Sequence, residues 1–126
     1  MKATELMIGD WVTGKKWREN PFKLIRIRDN GKYFYGITSE GSQVGPFFLE
    51  ELEPIPLTPE ILEKNGWEKR PTGYVFYTDG KRYDNSLWYI FGSNTFVVNT
   101  AEFQIKYVHE LQHALKLCGA KKEIVL

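Results

Sequence analysis

Short alternating runs dominate the first half of the chain. Between Phe22 and Arg28, Ile25 and Ile27 fall on one side of an extended backbone and Arg26 and Arg28 on the other. That is the period-two signature of a strand with one buried face. Trp11-Val12, Tyr33 to Thr38 and Gln43 to Phe48 read as further strands. They are separated by turns at Gly9-Asp10, Asp29-Asn30-Gly31 and Ser39-Glu40-Gly41-Ser42. Asn30-Gly31 is the strongest turn signal, because this pair supplies the positive φ angles a tight hairpin needs. Pro46 has no N–H to offer a neighbour, so the fourth strand is expected at a sheet edge or at a bulge. Leu49 to Leu52 reads as one helical turn and Glu53 to Pro56 as a last extended piece. Short strands at such regular spacing predict a small SH3-like barrel over residues 1–56.

The pattern changes at Leu57-Thr58-Pro59-Glu60. Thr58 suits the cap of a helix, Pro59 its first position and Glu60 the positive end of its dipole. Asn65-Gly66 ends the helix, with glycine at the left-handed position. Strands are then expected over Gly73 to Thr78, Leu87 to Phe91, Thr95 to Asn99 and Glu102 to Lys106. Turns fall at Asp79-Gly80-Lys81 and Gly92-Ser93-Asn94. Val108 to Cys118 reads as a second helix stopped by Gly119, and Lys122 to Leu126 as a terminal strand. Residues 57–126 thus form a helix–β-strands–helix unit, expected to pack against the barrel. The fold class is mainly β, in the α+β sense, with the boundary between Pro54 and Thr58.

Composition sharpens this in three places. Aromatic residues reach 15%, with seven Tyr, eight Phe and four Trp, a bias that suits pleated, half-buried surfaces. The net charge of +1 removes any global attraction to nucleic acid or to an anionic membrane. The single cysteine, Cys118, excludes an internal disulfide and a cysteine-rich zinc site, so a reducing cytoplasm is expected. The segment MKATELMIGDWV lacks the apolar run of a secretion signal, and no stretch approaches membrane-spanning length. A membrane partner is therefore not expected.

One stretch has the spacing of a catalytic motif: His109, Glu110 and His113 in the sequence HELQH. On a helix two histidines four apart share a face and can hold one zinc ion, with the intervening glutamate as general base. At about 100° per residue, however, Tyr107, Val108, Leu111, Ala114, Leu115 and Cys118 form one arc, and His109, Gln112, His113 and Lys116 the opposite one. The first arc is expected to be buried and both histidines to face water. No third histidine exists in the chain, and no carboxylate among Asp79, Asp84, Glu102 and Glu123 is marked out as a third ligand. No metal is therefore expected at His109 and His113, and no cofactor elsewhere. Zinc enters only if Glu110 serves a hydrolase. Cys118, on the buried arc, is expected to act as a small apolar group rather than a nucleophile.

Charge is polarised along the first half. From Trp11 to Gly36 there are seven basic residues and two acidic ones; from Glu40 to Glu63 there are six acidic residues and no basic ones. Trp17, Tyr33 and Tyr35 lie within or beside the basic run. Cations interleaved with aromatic rings suit a phosphate backbone with stacked bases, or a peptide in an aromatic groove. A solvated strand face neutralised by the acidic segment is the plainer account.

Three segments, KATELMIGDWV, EELEPIPLTPEILEKNGW and YVHELQHALKLCG, together resemble a family of small uncharacterised bacterial proteins of gut-dwelling anaerobes. The resemblance runs the length of the chain. It implies no activity, substrate or cofactor, and it includes the HELQH helix, which such a family keeps for packing or for chemistry alike.

The reading drawn from the sequence is a cytoplasmic, non-enzymatic interaction module. Its expected surface is the strand face of Arg26, Arg28, Tyr33 and Tyr35, and its expected partner a protein or peptide. The alternatives are a zinc-dependent hydrolase with His109 and His113 as ligands and Glu110 as base, and a nucleic-acid-binding accessory protein.

Overall fold

Asp29, Asn30 and Gly31 take φ values of 54°, 55° and 86°, so the hairpin expected at Asn-Gly forms with three successive left-handed residues. The computed structural model describes residues 5–77, 86–90, 92–98, 101–117 and 123–126. Ten strands, two α-helices and a 3-10 turn at Leu49–Glu51 are found among them. The expected turn at Asp79-Gly80-Lys81, together with Asp84, Cys118 and the Trp17 side chain, lies outside the described residues. The fold is mostly β, with two open antiparallel five-stranded sheets and two short helices. The chain divides into two compact units, Met1–Pro56 with Tyr107–His109, and Leu57–Lys106 with Glu110–Leu126.

The first unit is built on β1 (Trp11–Gly14), β2 (Trp17–Arg28), β3 (Tyr33–Thr38), β4 (Gln43–Phe47) and β5 (Leu52–Pro54), in the order β4-β3-β2-β1-β5. Val12, Phe22, Leu24, Phe34 and Leu52 are buried together with Leu6, and Ile27, Val44, Phe47 and Leu49 pack against them. Each such side chain contributes about 1.5–3 kcal/mol by leaving water. The strand carrying Pro46 is an edge strand, and the register between β3 and β4 shifts between Phe34 and Gly36. Both conditions that proline imposes are met.

Strict alternation in β2 does not hold. Leu24 pairs with Gly36 but Arg26 with Tyr35, which leaves Ile25 as the extra residue of a bulge. On the core side Leu24 is therefore buried and the half-buried Ile27 packs against the cluster, whereas Ile25, also half-buried, is not among the residues packed there. A bulge depends on the partner strand, which a one-strand pattern does not contain.

The second unit opens with α1 (Pro59–Lys64). Thr58 Oγ1 accepts a hydrogen bond from Ile61 N–H at 3.3 Å. At the other end Gly66 has φ 87° and Trp67 N–H donates to Leu62 O at 3.0 Å, closing a left-handed C-terminal motif. A simple meander follows: β6 (Glu68–Arg70), β7 (Gly73–Tyr77), β8 (Ser86–Ile90), β9 (Thr95–Val98) and β10 (Ala101–Gln104). Strand β6 is not foreseen by pattern, because Glu-Lys-Arg has no apolar alternation. Tyr74, Tyr89 and Phe96 lie side by side across β7, β8 and β9, and all three are buried. The expected terminal strand is not formed over residues 123–126. The N–H and C=O of Val125 are instead taken by the side chain of Asn65.

The chain continues into α2 (Val108–Leu117). Val108, Leu111, Ala114 and Leu115 are buried, as the helical period requires. His109, expected on the exposed arc, is 3% exposed. Of that arc only Lys116 is exposed, while Gln112 and His113 are half-buried. A helical wheel sorts residues by chemistry and assumes a single packing direction; the first turn of α2 is enclosed on the histidine side as well. No helix among the described residues is long and apolar enough to cross a membrane.

Candidate functional site

Directly opposed residues in an antiparallel pair project to the same side of the sheet. The pairs Arg26–Tyr35 and Arg28–Tyr33 therefore place all four predicted residues on one face of β2–β3. The same register adds Lys23, opposite Ile37 on β3 and opposite Trp11 on β1. Lys23 and Arg26 are three apart, and in an uninterrupted strand they would point to opposite sides. The extra residue Ile25 brings Lys23, Arg26 and Arg28 into one row.

Three of the four cations of this face, Lys23, Arg26 and Lys32, have an aromatic ring at close range. The Arg26 guanidinium lies 5.6 Å from the centre of the Tyr35 ring, Lys32 Nζ 5.4 Å from that of Tyr33, and Lys23 Nζ 5.9 Å from that of Trp11. These are cation–π distances. Arg26, Arg28 and Lys32 are exposed, whereas Tyr33 and Tyr35 are half-buried. Phe48 extends the face, its ring 5.3 Å from Tyr33. Among the described residues the ion pair found is Arg70–Glu68, and none of Arg26, Arg28 and Lys32 is paired. The acidic segment that would neutralise this face in the plainer account does not do so by direct contact. Trp11 and Phe48 were missed by sequence reasoning: Trp11 reads as the start of the first strand and Phe48 as the end of the fourth. Only the pairing register shows what each ring meets.

The HELQH residues sit in different surroundings. His109 is buried, with its ring nearly parallel to that of Tyr107 at 6.1 Å. Glu110 Oε1 accepts a hydrogen bond from Lys106 N–H at 2.9 Å, which satisfies a donor ahead of the helix and places a negative charge in its first turn. His113 lines a shallow groove with Glu110, Phe103 and Leu117, and His109 does not border it. Among the described residues no group of three or more His, Cys, Asp or Glu is placed to hold a metal ion. Glu102 is exposed on the edge strand β10, and Glu123 is exposed near the end of the chain.

Two tyrosines in the second unit have displaced titrations. Burial, followed by the hydrogen bond to Glu63 at 2.9 Å, raises the Tyr74 hydroxyl above its ordinary value. Burial and then the Glu110 charge raise that of Tyr89, which donates to Ile105 O at 2.7 Å. Both hydroxyls are committed to structural acceptors. No family model, curated protein or solved structure matches the chain.

Proposed function

We propose that the protein is a non-catalytic binding module whose β2–β3 face takes an acidic segment of a partner protein. The observation that carries this reading is the register that lines up Lys23, Arg26 and Arg28 beside Tyr33 and Tyr35. Arginine meets carboxylates with a fixed fork of donors, and a neighbouring ring lowers the cost of holding the guanidinium in place. A peptide ligand is favoured over nucleic acid for a geometric reason. Base stacking needs open ring faces, and one face each of Tyr35 and Tyr33 is already taken by Arg26 and Lys32, on rings that are half-buried. The net charge of +1 also gives little of the long-range pull that phosphate backbones exploit.

The first unit is, in this reading, an SH3-like barrel. Support comes from the return of β5 to β1, from the 3-10 turn just before β5 and from the long, bulged β2. A cytoplasmic setting belongs to the same reading and is supported by the single cysteine.

The test is a titration with a blocked peptide of alternating Asp, Glu and Tyr, beside a ten-nucleotide oligothymidine, each at two salt concentrations. We expect the peptide to bind, and Arg26→Glu with Arg28→Glu to weaken it at least tenfold. Tighter binding of the oligonucleotide, or a double variant that binds the peptide unchanged, overturns the proposal.

A further inference from the structure

The face that carries Arg28 and Tyr33 changes character from strand to strand. Arg28 on β2 stands opposite Tyr33 on β3. Continued by one residue, the pairing of Phe34 with Phe47 sets Phe48 opposite Tyr33 on its other side, and the two rings lie 5.3 Å apart. Opposed residues share a side of the sheet, so Arg28, Tyr33 and Phe48 form one row. At a strand spacing of about 4.8 Å the row spans about 10 Å, the length of about three extended residues. Lys32 Nζ already sits 5.4 Å from the centre of the Tyr33 ring, whereas Phe48 is 46% exposed. The row ends on an acid: the Glu51 carboxylate accepts a hydrogen bond from Phe48 N–H at 3.0 Å. Neither Arg28 nor Glu51 is in an ion pair among the described residues. A lone exposed ring needs no explanation. A ring set between an arginine and a carboxylate gives the face a direction.

We propose that the partner segment bound by the β2–β3 face carries a large apolar side chain that rests on Phe48, with its carboxylates on one side of that residue only. This rests on the β2–β3 reading and makes it directional. Carboxylates about three positions from the apolar residue reach Arg26 and Arg28, as the width of the row requires. A carboxylate beyond the apolar residue would come against Glu51, and that like-charge contact selects against it. The ligand is therefore acidic, then apolar, then uncharged. Net attraction to a basic face predicts the reverse ranking, since each added carboxylate would tighten binding.

The experiment is an amide NMR titration at low salt with three blocked peptides: acetyl-Asp-Asp-Gly-Phe-Gly-Gln-amide, acetyl-Asp-Asp-Gly-Ala-Gly-Gln-amide and acetyl-Asp-Asp-Gly-Phe-Gly-Asp-amide. We expect the first to bind about tenfold more tightly than the second, the gain from covering one large apolar side chain. It should bind about threefold more tightly than the third, the scale of one exposed charge contact, although the third carries an extra negative charge. Phe48→Ala should abolish the preference for the first peptide over the second and leave the affinity of the second unchanged. The Phe48 side chain is exposed, so the fold tolerates the change. Glu51→Gln keeps an oxygen for the Phe48 N–H and should abolish the preference for the first peptide over the third. Equal binding of the first two peptides, or tightest binding of the third, overturns the proposal. If Arg26→Glu with Arg28→Glu still weakens all three, the β2–β3 reading survives that result. Binding that ignores Arg26 and Arg28, or no binding of any peptide, removes both.

Discussion

Asn65 and Val125, sixty residues apart, exchange two hydrogen bonds: Asn65 Nδ2 donates to Val125 O at 2.8 Å, and Val125 N–H donates to Asn65 Oδ1 at 2.7 Å. The second Nδ2 hydrogen goes to Ile61 O, also at 2.8 Å. One buried side chain thus closes helix α1 and fastens the segment 123–126 in place of a strand neighbour. Asn65→Ala removes all three bonds and should cost about 1–3 kcal/mol, the penalty of leaving buried polar groups unsatisfied. Asn65→Asp should cost more, because a carboxylate oxygen then faces two carbonyls. Urea unfolding of the three proteins checks the order; an aspartate variant as stable as the parent contradicts it.

The features legible in the sequence are those whose cause is local. Thr58-Pro59-Glu60, Asn65-Gly66 and Asp29-Asn30-Gly31 fix their own backbone angles, and they form where expected. Pro46 excludes a central strand by its own chemistry. Features that need a partner were not legible. The bulge at Ile25 exists only against β3, and the Asn65 clamp spans the length of the second unit. The burial of His109 depends on what encloses the first turn of α2. The candidate face lies between these cases. Its four residues stand out by composition, but their alignment with Lys23 and Trp11 requires the register.

The two displaced tyrosines predict an alkaline weakness. In the unfolded chain a tyrosine loses its proton near pH ~10, while burial holds the protons of Tyr74 and Tyr89 to higher pH in the folded protein. Above that pH the unfolded state binds fewer protons than the folded one, so stability falls as pH rises. It is fully present below pH ~10 and declines through the raised folded-state values. Denaturation midpoints measured between pH 8 and roughly 11 should fall, and less steeply for Tyr74→Phe with Tyr89→Phe. Equal slopes in the two proteins contradict the assignment. At neutral pH, Tyr89→Phe alone should cost about 1–3 kcal/mol, by leaving Ile105 O without its buried donor.

Gly41 and Gly45 are both exposed and both have positive φ, 89° and 120°, but only Gly45 has neighbouring backbone where a Cβ would go. A Cβ at Gly41 has nothing within 4 Å, whereas one at Gly45 would lie 2.8 Å from Phe34 O. Gly41→Ala should therefore cost about 1 kcal/mol, the backbone penalty alone. Gly45→Ala should cost more, because β4 must also move away from β3. Melting temperatures of the two variants separate the terms. Equal losses would mean that β4 yields freely at its edge.

The HELQH helix supplies the sharpest contrast. Two histidines that serve as zinc ligands matter to stability only when the ion is bound, and to a similar extent. Here His109 is 3% exposed, whereas His113 is half-buried at a groove. In buffer containing a chelator, His109→Ala should lower stability by about 1–3 kcal/mol, as truncation of a buried side chain does. His113→Ala should stay within about 1 kcal/mol of the parent. The asymmetry should persist when zinc is added in place of the chelator. Two variants equally stable under chelation but equally deficient in zinc-dependent stabilisation would restore the paired-ligand reading, and His109 would then have to turn out of the protein to reach the ion.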